Sequence, residues 1–106
     1  MVLLDYIANI GLRLPREATS NVALWRRMRA AAARAGVGPV FPASVQTEIL
    51  DDHTPFLDAG IPAIDLIDFS YRYADTRRDP VDKLSQRSLD AVGESTLELV
   101  RELRAR

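Results

Sequence analysis

Two short apolar runs, each interrupted by carboxylates, constrain this fold more than any other feature of the chain. Val2-Leu3-Leu4-Asp5-Tyr6-Ile7 begins almost at the first residue, and Ala63-Ile64-Asp65-Leu66-Ile67-Asp68-Phe69 follows directly on Pro62. The continuous apolarity of the first predicts a strand covered on both faces, which is the environment of a parallel sheet. A charge inside such a strand costs several kcal/mol unless it is paired or bound to metal. Asp5 is therefore a residue that needs a partner.

Helical patterns separate and follow the two runs. Residues 9–20 read as loop, punctuated by Gly11 and Pro15, with Thr19 or Ser20 placed to cap a helix. That helix is expected over about residues 21–35, ending at Gly36, with Leu24, Met28, Ala31 and Ala35 as its inward stripe. Trp25 reads as packing. Arg26, Arg27, Arg29 and Arg34 ride the other faces and read as a solvated surface, because acids intersperse them across the chain. Val40-Phe41 is expected as a short strand before the loop 42–46. Asp52 stands where an N-cap belongs, with Pro55 in the first turn and Gly60 past the end, so residues 54–59 should form a short helix. Residues 70–82 form a long polar loop, a length that in a compact domain usually signals function or disorder. Ser85 caps a last helix running to about Arg104, with Leu89, Val92, Thr96, Leu99, Val100 and Leu103 as its stripe and Gly93 allowing close approach to the sheet. The order strand, helix, short strand, short helix, strand, helix predicts an α/β layer with a mostly parallel sheet. No linker divides residues 1–106, so one domain is expected.

Composition adds exclusions. A length of 106 residues suits one small core. A net charge of −1 gives no basis for a nucleic-acid partner. The chain has no cysteine, which removes disulfides and thiolate metal sites. The first ten residues lack the basic start and small-residue cleavage site of a signal peptide, and no apolar run approaches the roughly 20 residues that span a bilayer. The expected location is cytoplasmic, away from membranes.

The chemistry-bearing residues sit near strand ends. Asp5, the Asp51-Asp52-His53 turn and the loop after Phe69, with Asp75 and Asp79, all fall where open α/β sheets gather ligands. His53 is the only histidine. Two readings stay open at this point. A carboxylate–imidazole cluster there would bind a divalent metal or work as acid and base. Alternatively, Asp52 caps a helix and His53 makes a local hydrogen bond.

Four segments in order resemble the carboxy-terminal part of the zinc-dependent aminopeptidases and glutaminyl cyclases, peptidase family M28. Val2-Leu3-Leu4-Asp5-Tyr6-Ile7 is similar to the family's Leu-Leu-Asp-(Met/Leu)-Ile-Gly strand. Asp51-Asp52-His53-Thr54-Pro55-Phe56-Leu57 is similar to its Asp-Asp-His-x-Pro-Phe-Leu turn, the most specific of the four. Gly60-Ile61-Pro62-Ala63-Ile64-Asp65-Leu66-Ile67 is similar to the following Gly-(Ile/Val)-Pro strand. Asp79 with Asp82-Lys83-Leu84-Ser85 is similar to the Asp-x-x-Asp-Lys-(Val/Leu)-Ser entry to the last helix.

The resemblance implies part of an α/β/α sandwich and an ancestral zinc-dependent peptide hydrolysis, or cyclisation of amino-terminal glutamine. It implies that Asp5 stands where the family has a zinc-binding or proton-network aspartate, and that Asp51, with His53 beside it, belongs to that network. Two departures limit the chemistry. The family's His-x-Asp and Glu-Glu lie upstream of the part resembled, so their counterparts are not in this chain. The family's Trp-His-Thr falls on Ala74-Asp75-Thr76, which puts Asp75 in place of a zinc-binding histidine and Ala74 in place of an aromatic wall. Possible metal ligands are thus Asp5 and Asp75, zinc is the implied cofactor if one is bound, and weak or absent activity is expected. A strand at residues 2–7 without its family neighbours has an open edge, so a homo-oligomer is expected, most simply a two-fold dimer. A catalytically dead assembly module that keeps the scaffold without metal is the alternative.

Overall fold

The computed structural model describes residues 1–69 and 84–105. Strand β1 (Val2–Asp5) pairs in parallel with β4 (Ile64–Ile67). The register sets Val2 opposite Ile64, Leu3 opposite Asp65, Leu4 opposite Leu66 and Asp5 opposite Ile67. Side chains alternate across a strand, so Ile64 and Leu66 share one face with Val2 and Leu4, while Asp65 shares the other with Leu3 and Asp5. Backbone bonds from Ile64 N to Met1 O (3.1 Å) and from Asp68 N to Tyr6 O (3.3 Å) lengthen the pairing at both ends. The strand expected to reach residue 7 stops at Asp5, because Tyr6 takes φ +47° and turns the chain out of the pleat. A non-glycine residue in the left-handed region is held there only by its surroundings. Here the turn fixes Asp5 as the last position of the strand.

Two strands of two residues each lie where loop was expected: β2 (Arg16–Glu17) and β3 (Val45–Gln46), also parallel. They are too short to carry a hydrophobic pattern. Leu14 N to Val40 O and Arg16 N to Ser44 O continue their pairing. The Gln46 side-chain amide donates to Pro15 O (3.0 Å) and to Ile67 O (2.7 Å), joining this small ladder to the end of β4.

Helix α1 (Val22–Arg34) starts at Asn21, whose Oδ1 accepts from Leu24 N at 2.8 Å. Thr19 and Ser20, the expected caps, instead give their hydroxyls to Glu17. Leu24, Met28 and Ala31 are buried as their spacing predicts, and Trp25 packs against Phe41 with ring centroids 5.8 Å apart. Val40-Phe41 is not a strand. Gly38–Val40 forms a 3₁₀ turn with proline at its start, and Phe41 follows it into the core.

Helix α2 (Thr54–Asp58) is short. Asp52 does not cap it: the cap position is His53, whose side chain makes no capping bond, because the Asp51 carbonyl accepts from Thr54 N and carries the turn one step back. Gly60 takes φ +79° and releases the chain into β4. Helix α3 (Gln86–Arg104) is capped by Ser85 as expected, with Ser88 N 3.2 Å from its Oγ. Its buried line is Ser88, Ala91, Val92, Ser95 and Leu99. Val92 and Leu99 keep their expected places, but Leu89, Val100 and Leu103 are exposed. Gly93 is exposed too, with no atom within 4 Å of where a Cβ would stand, so it does not serve close packing on the sheet.

The core lies between the α1–α3 pair and the Ile64–Leu66 face of β4, joined by Leu12, Leu14 and Phe41. Arg27 and Arg34 bridge α1 to α3 through Glu102 and Glu98 at 2.9–3.2 Å, and Arg29 donates to Phe41 O. Asp68, buried at the end of β4, accepts from Asn9 Nδ2 and Arg13 N and so ties down the segment after β1. The expected α/β class with parallel strand pairs is what the chain adopts. No helix of the described residues is long and apolar enough to cross a membrane.

Candidate functional site

The face of the β1–β4 pair opposite the helical core carries Asp5 and Asp65, and the turn leading into α2 lies over it. Two linked groups of polar side chains result.

The first is centred on Glu17 and His53, both fully buried. Glu17 Oε1 and Oε2 accept from Thr19 Oγ1 (2.9 and 2.8 Å), Ser20 Oγ (3.0 Å) and Ile49 N (2.9 Å). His53 Nε2 stands 3.1 Å from Glu17 Oε1 and 3.0 Å from Thr19 Oγ1. The Thr19 hydroxyl hydrogen is already given to Glu17, so both neighbours of Nε2 are acceptors and Nε2 carries the hydrogen. Burial works against the charge on Glu17, but the Ile49 amide and the Thr19 and Ser20 donors outweigh it and hold the carboxyl below its ordinary value. Ser20 also accepts from Asp65 N (2.9 Å), which ties this group to β4.

The second group is a row of three carboxyls, Asp5, Asp51 and Asp65. Asp51 hydrogen-bonds both of the others. Burial, then the hydrogen bond to Asp51 and its charge, raises Asp65 to about 8. Burial and then the Asp51 contact raise Asp5 as well. Burial opposes charge on Asp51, yet the Asp52 amide (2.8 Å) and the bonds from Asp65 and Asp5 lower it. The negative charge therefore settles on the middle carboxyl. His53 Nδ1 lies 3.5 Å from Asp65 Oδ2, which links the two groups.

Of the residues singled out in the sequence, the structure brings Asp5 and Asp51 into contact and connects His53 to them through Asp65. Asp75 and Asp79 lie outside the described residues. Glu17 and the role of Asp65 were missed. The signal for Asp65 was present, since a carboxylate inside an apolar strand is the same anomaly that marked Asp5. For Glu17 the hint is the run Glu17-Ala18-Thr19-Ser20, which puts two hydroxyls within reach of one acid.

The described donors do not form a metal centre by themselves. Among the described residues, no three of His, Cys, Asp or Glu are arranged to hold an ion. Both nitrogens of His53 face buried partners, and Asp51 hydrogen-bonds Asp5 and Asp65 where a metal needs free, deprotonated donors.

The model for Peptidase family M28 matches residues 1–100. A glutaminyl cyclase from an Acidobacteriales bacterium is 32% identical, with a TM-score of 0.85 over 94% of this chain and 37% of its own. A leucine aminopeptidase precursor from Bacteroides thetaiotaomicron is 27% identical, with a TM-score of 0.84 over 92% of this chain and 36% of its own. A Zn-dependent exopeptidase from Parabacteroides distasonis, 24% identical, shares the fold at a TM-score of 0.84 over 93% of this chain and 38% of its own. The chain thus spans well under half the length of the solved structures it matches. No curated protein sequence matches it.

Proposed function

Because the chain belongs to peptidase family M28, we propose that it is the proton-handling portion of a metallopeptidase-like domain, with weak or no turnover by itself. One observation carries this reading: Asp51 stands between Asp5 and Asp65 at the end of the sheet and hydrogen-bonds each of them, an arrangement that holds protons and does not present open donors to an ion. In this reading the reaction class is peptide-bond hydrolysis. Asp51 is the carboxylate that takes and returns a proton, His53 holds its turn in place through Glu17, and Asp5 and Asp75 are the two carboxylates offered to a zinc ion. A catalytic zinc site wants three protein ligands and one open position, so further donors have to come from outside this chain. Zinc content of the purified chain, followed by turnover of an aminoacyl anilide with and without added zinc, tests this. The expected result is little bound zinc and no turnover above background. Tight stoichiometric zinc with turnover abolished in Asp5→Ala would show a self-contained enzyme instead.

A second reading, an assembly module built from copies of this chain, has its own support. β1 has a neighbour on one edge only among the described residues, and Leu4 is 43% exposed on it. Along α3, Leu89, Leu97, Val100 and Leu103 also face outward. Open strand edges and apolar stripes of this kind favour association with a second copy. Sedimentation of the chain checks this: a concentration-dependent dimer is expected, and a monodisperse monomer would remove the reading.

A further inference from the structure

We propose that α3 is the surface on which two copies of this chain associate, as an antiparallel helix pair with its two-fold axis at Thr96; this rests on the assembly reading above and names its surface. α3 carries two faces. Ser88, Ala91, Val92, Ser95 and Leu99 turn into the core beside α1. At about 100° per residue, Leu89, Gly93, Thr96, Val100 and Leu103 fall within roughly 40° of a second line along the helix. Leu89, Val100 and Leu103 are exposed, as is Leu97 beside that line. Exposed apolar stripes of this kind mark contact surfaces.

The spacing of the stripe identifies the partner as the same helix reversed. Leu89 and Leu103 lie seven residues to either side of Thr96, and Gly93 and Val100 three and four. Turning a second α3 end for end about Thr96 therefore sets Leu89 against Leu103 of the second copy and Gly93 against its Val100. Gly93 supplies the hole for that valine, since no atom lies within 4 Å of where a Cβ would stand. Glycine inside a helix is destabilising relative to alanine, and nothing among the described residues calls for it here. Thr96, also small, stands where the two helices cross.

Charge selects this orientation. Asp90 flanks the stripe near the start of the helix, and Arg101 and Arg104 flank it on the same side in the last turn. None of the three has an ion-pair partner among the described residues. Rotation about the two-fold axis keeps that flank on one side and reverses its direction, so each Asp90 arrives level with Arg101 and Arg104 of the second copy. In a parallel pair, Asp90 would meet Asp90 and the arginines would meet arginines, which opposes association. Arg87 and Glu94 lie further round the helix and offset each other. The open edge of β1, four residues long, offers no comparable match of charge. One helix pair of about 28 Å makes a small interface, so the dimer should dissociate on dilution.

The test begins with sedimentation equilibrium of the intact chain. A chain that stays monomeric at millimolar concentration overturns both the assembly reading and this surface. Given a dimer, three kinds of variant ask whether α3 makes it. The chain has no cysteine, so Thr96→Cys introduces a single thiol, and a short bifunctional thiol reagent should join it to its copy. Leu89→Cys, about 21 Å from its copy along the axis, should not be joined. Gly93→Leu fills the hole and should weaken the dimer at least about tenfold. Measured at dilution, it should not lower the helicity or melting temperature of the monomer, because the position is open and leucine is the better helix former. Asp90→Arg should weaken the dimer as well, by a factor that shrinks in high salt. A dimer that Gly93→Leu leaves at wild-type affinity, or in which Leu89→Cys joins as readily as Thr96→Cys, overturns the α3 surface and leaves the assembly reading to another part of the chain.

Discussion

β4 and β1 are paired residue for residue and each is an apolar run carrying one aspartate, yet they live in different surroundings. Every residue of β4 is buried; β1 is half-exposed, with Leu4 open to solvent. The helical layer and the α2 turn cover β4 from both sides, whereas β1 has one covered edge and a partly covered face. Continuous apolarity predicted β1 to be covered on both faces, and it is β4 that is buried throughout. The two carboxylates follow suit. Asp65, mid-strand in β4, is pushed up to about 8, while Asp5, at the end of β1, is raised with the backbone of Tyr6 partly opposing the shift.

The sharpest way to separate the strands is pH. The folded-state value for Asp65 lies above its unfolded value, so its contribution to stability is fully present below about pH 4 and lost as pH rises through about 8. Against Asp65→Asn, which has no such titration, the wild type should lose on the order of 5 kcal/mol of unfolding free energy across that window. Urea unfolding at several pH values reads this, and parallel curves for the two proteins would mean that Asp65 is not buried as a neutral acid.

Packing gives the next largest contrast. Leu66→Ala should cost about 3 kcal/mol, since Leu66 is fully buried, and its ladder partner tested as Leu4→Ala should cost under about 1 kcal/mol in the monomer. Equal losses would show that β1 is covered in solution. Leu4→Lys sharpens the same point: it should leave both monomer stability and association through α3 almost unchanged, which urea unfolding and sedimentation check. The smallest effect belongs to the helix pair. Glu102→Gln removes the carboxylate shared by Arg27 and Arg34, while Arg34 keeps Glu98, and should lower the urea midpoint only slightly, the difference fading in high salt.

Much of this architecture was legible before the fold was known, for physical reasons that also explain the failures. Patterns long enough to have a period, such as α1, α3 and the Ala63–Phe69 run, were found within a few residues. β2 and β3 were not, because two residues have no period and are held by bonds from Gln46 and Ser44 that no propensity announces. Val40-Phe41 has strand-favouring residues, but Gly38-Pro39 bends the backbone and the Trp25 ring draws Phe41 inward. On α3 the apolar residues form a wider band than the one that is buried, and the small residues Ser88, Ala91 and Ser95 lie along the contact. The site divided in the same way. Asp5 was singled out by its apolar strand and Asp51 by a motif, but Glu17 lies 36 positions before His53, and only tertiary contact joins the two.

Gln46 makes a last point about motion. The ladder that carries Glu17 and the ladder that carries Asp65 share no strand, and they are joined by bonds that belong to neither: Gln46 Nε2 to Ile67 O, Asp65 N to Ser20 Oγ and Asn21 N to Ala63 O. A continuous sheet would resist separation through a full row of backbone bonds, whereas this seam is held by a few discrete ones. Loss of any one of them should ease local opening below the free energy of global unfolding. Amide exchange at Ile49 and Asp65 should report that opening, and Gln46→Glu, which removes both donors, should quicken it.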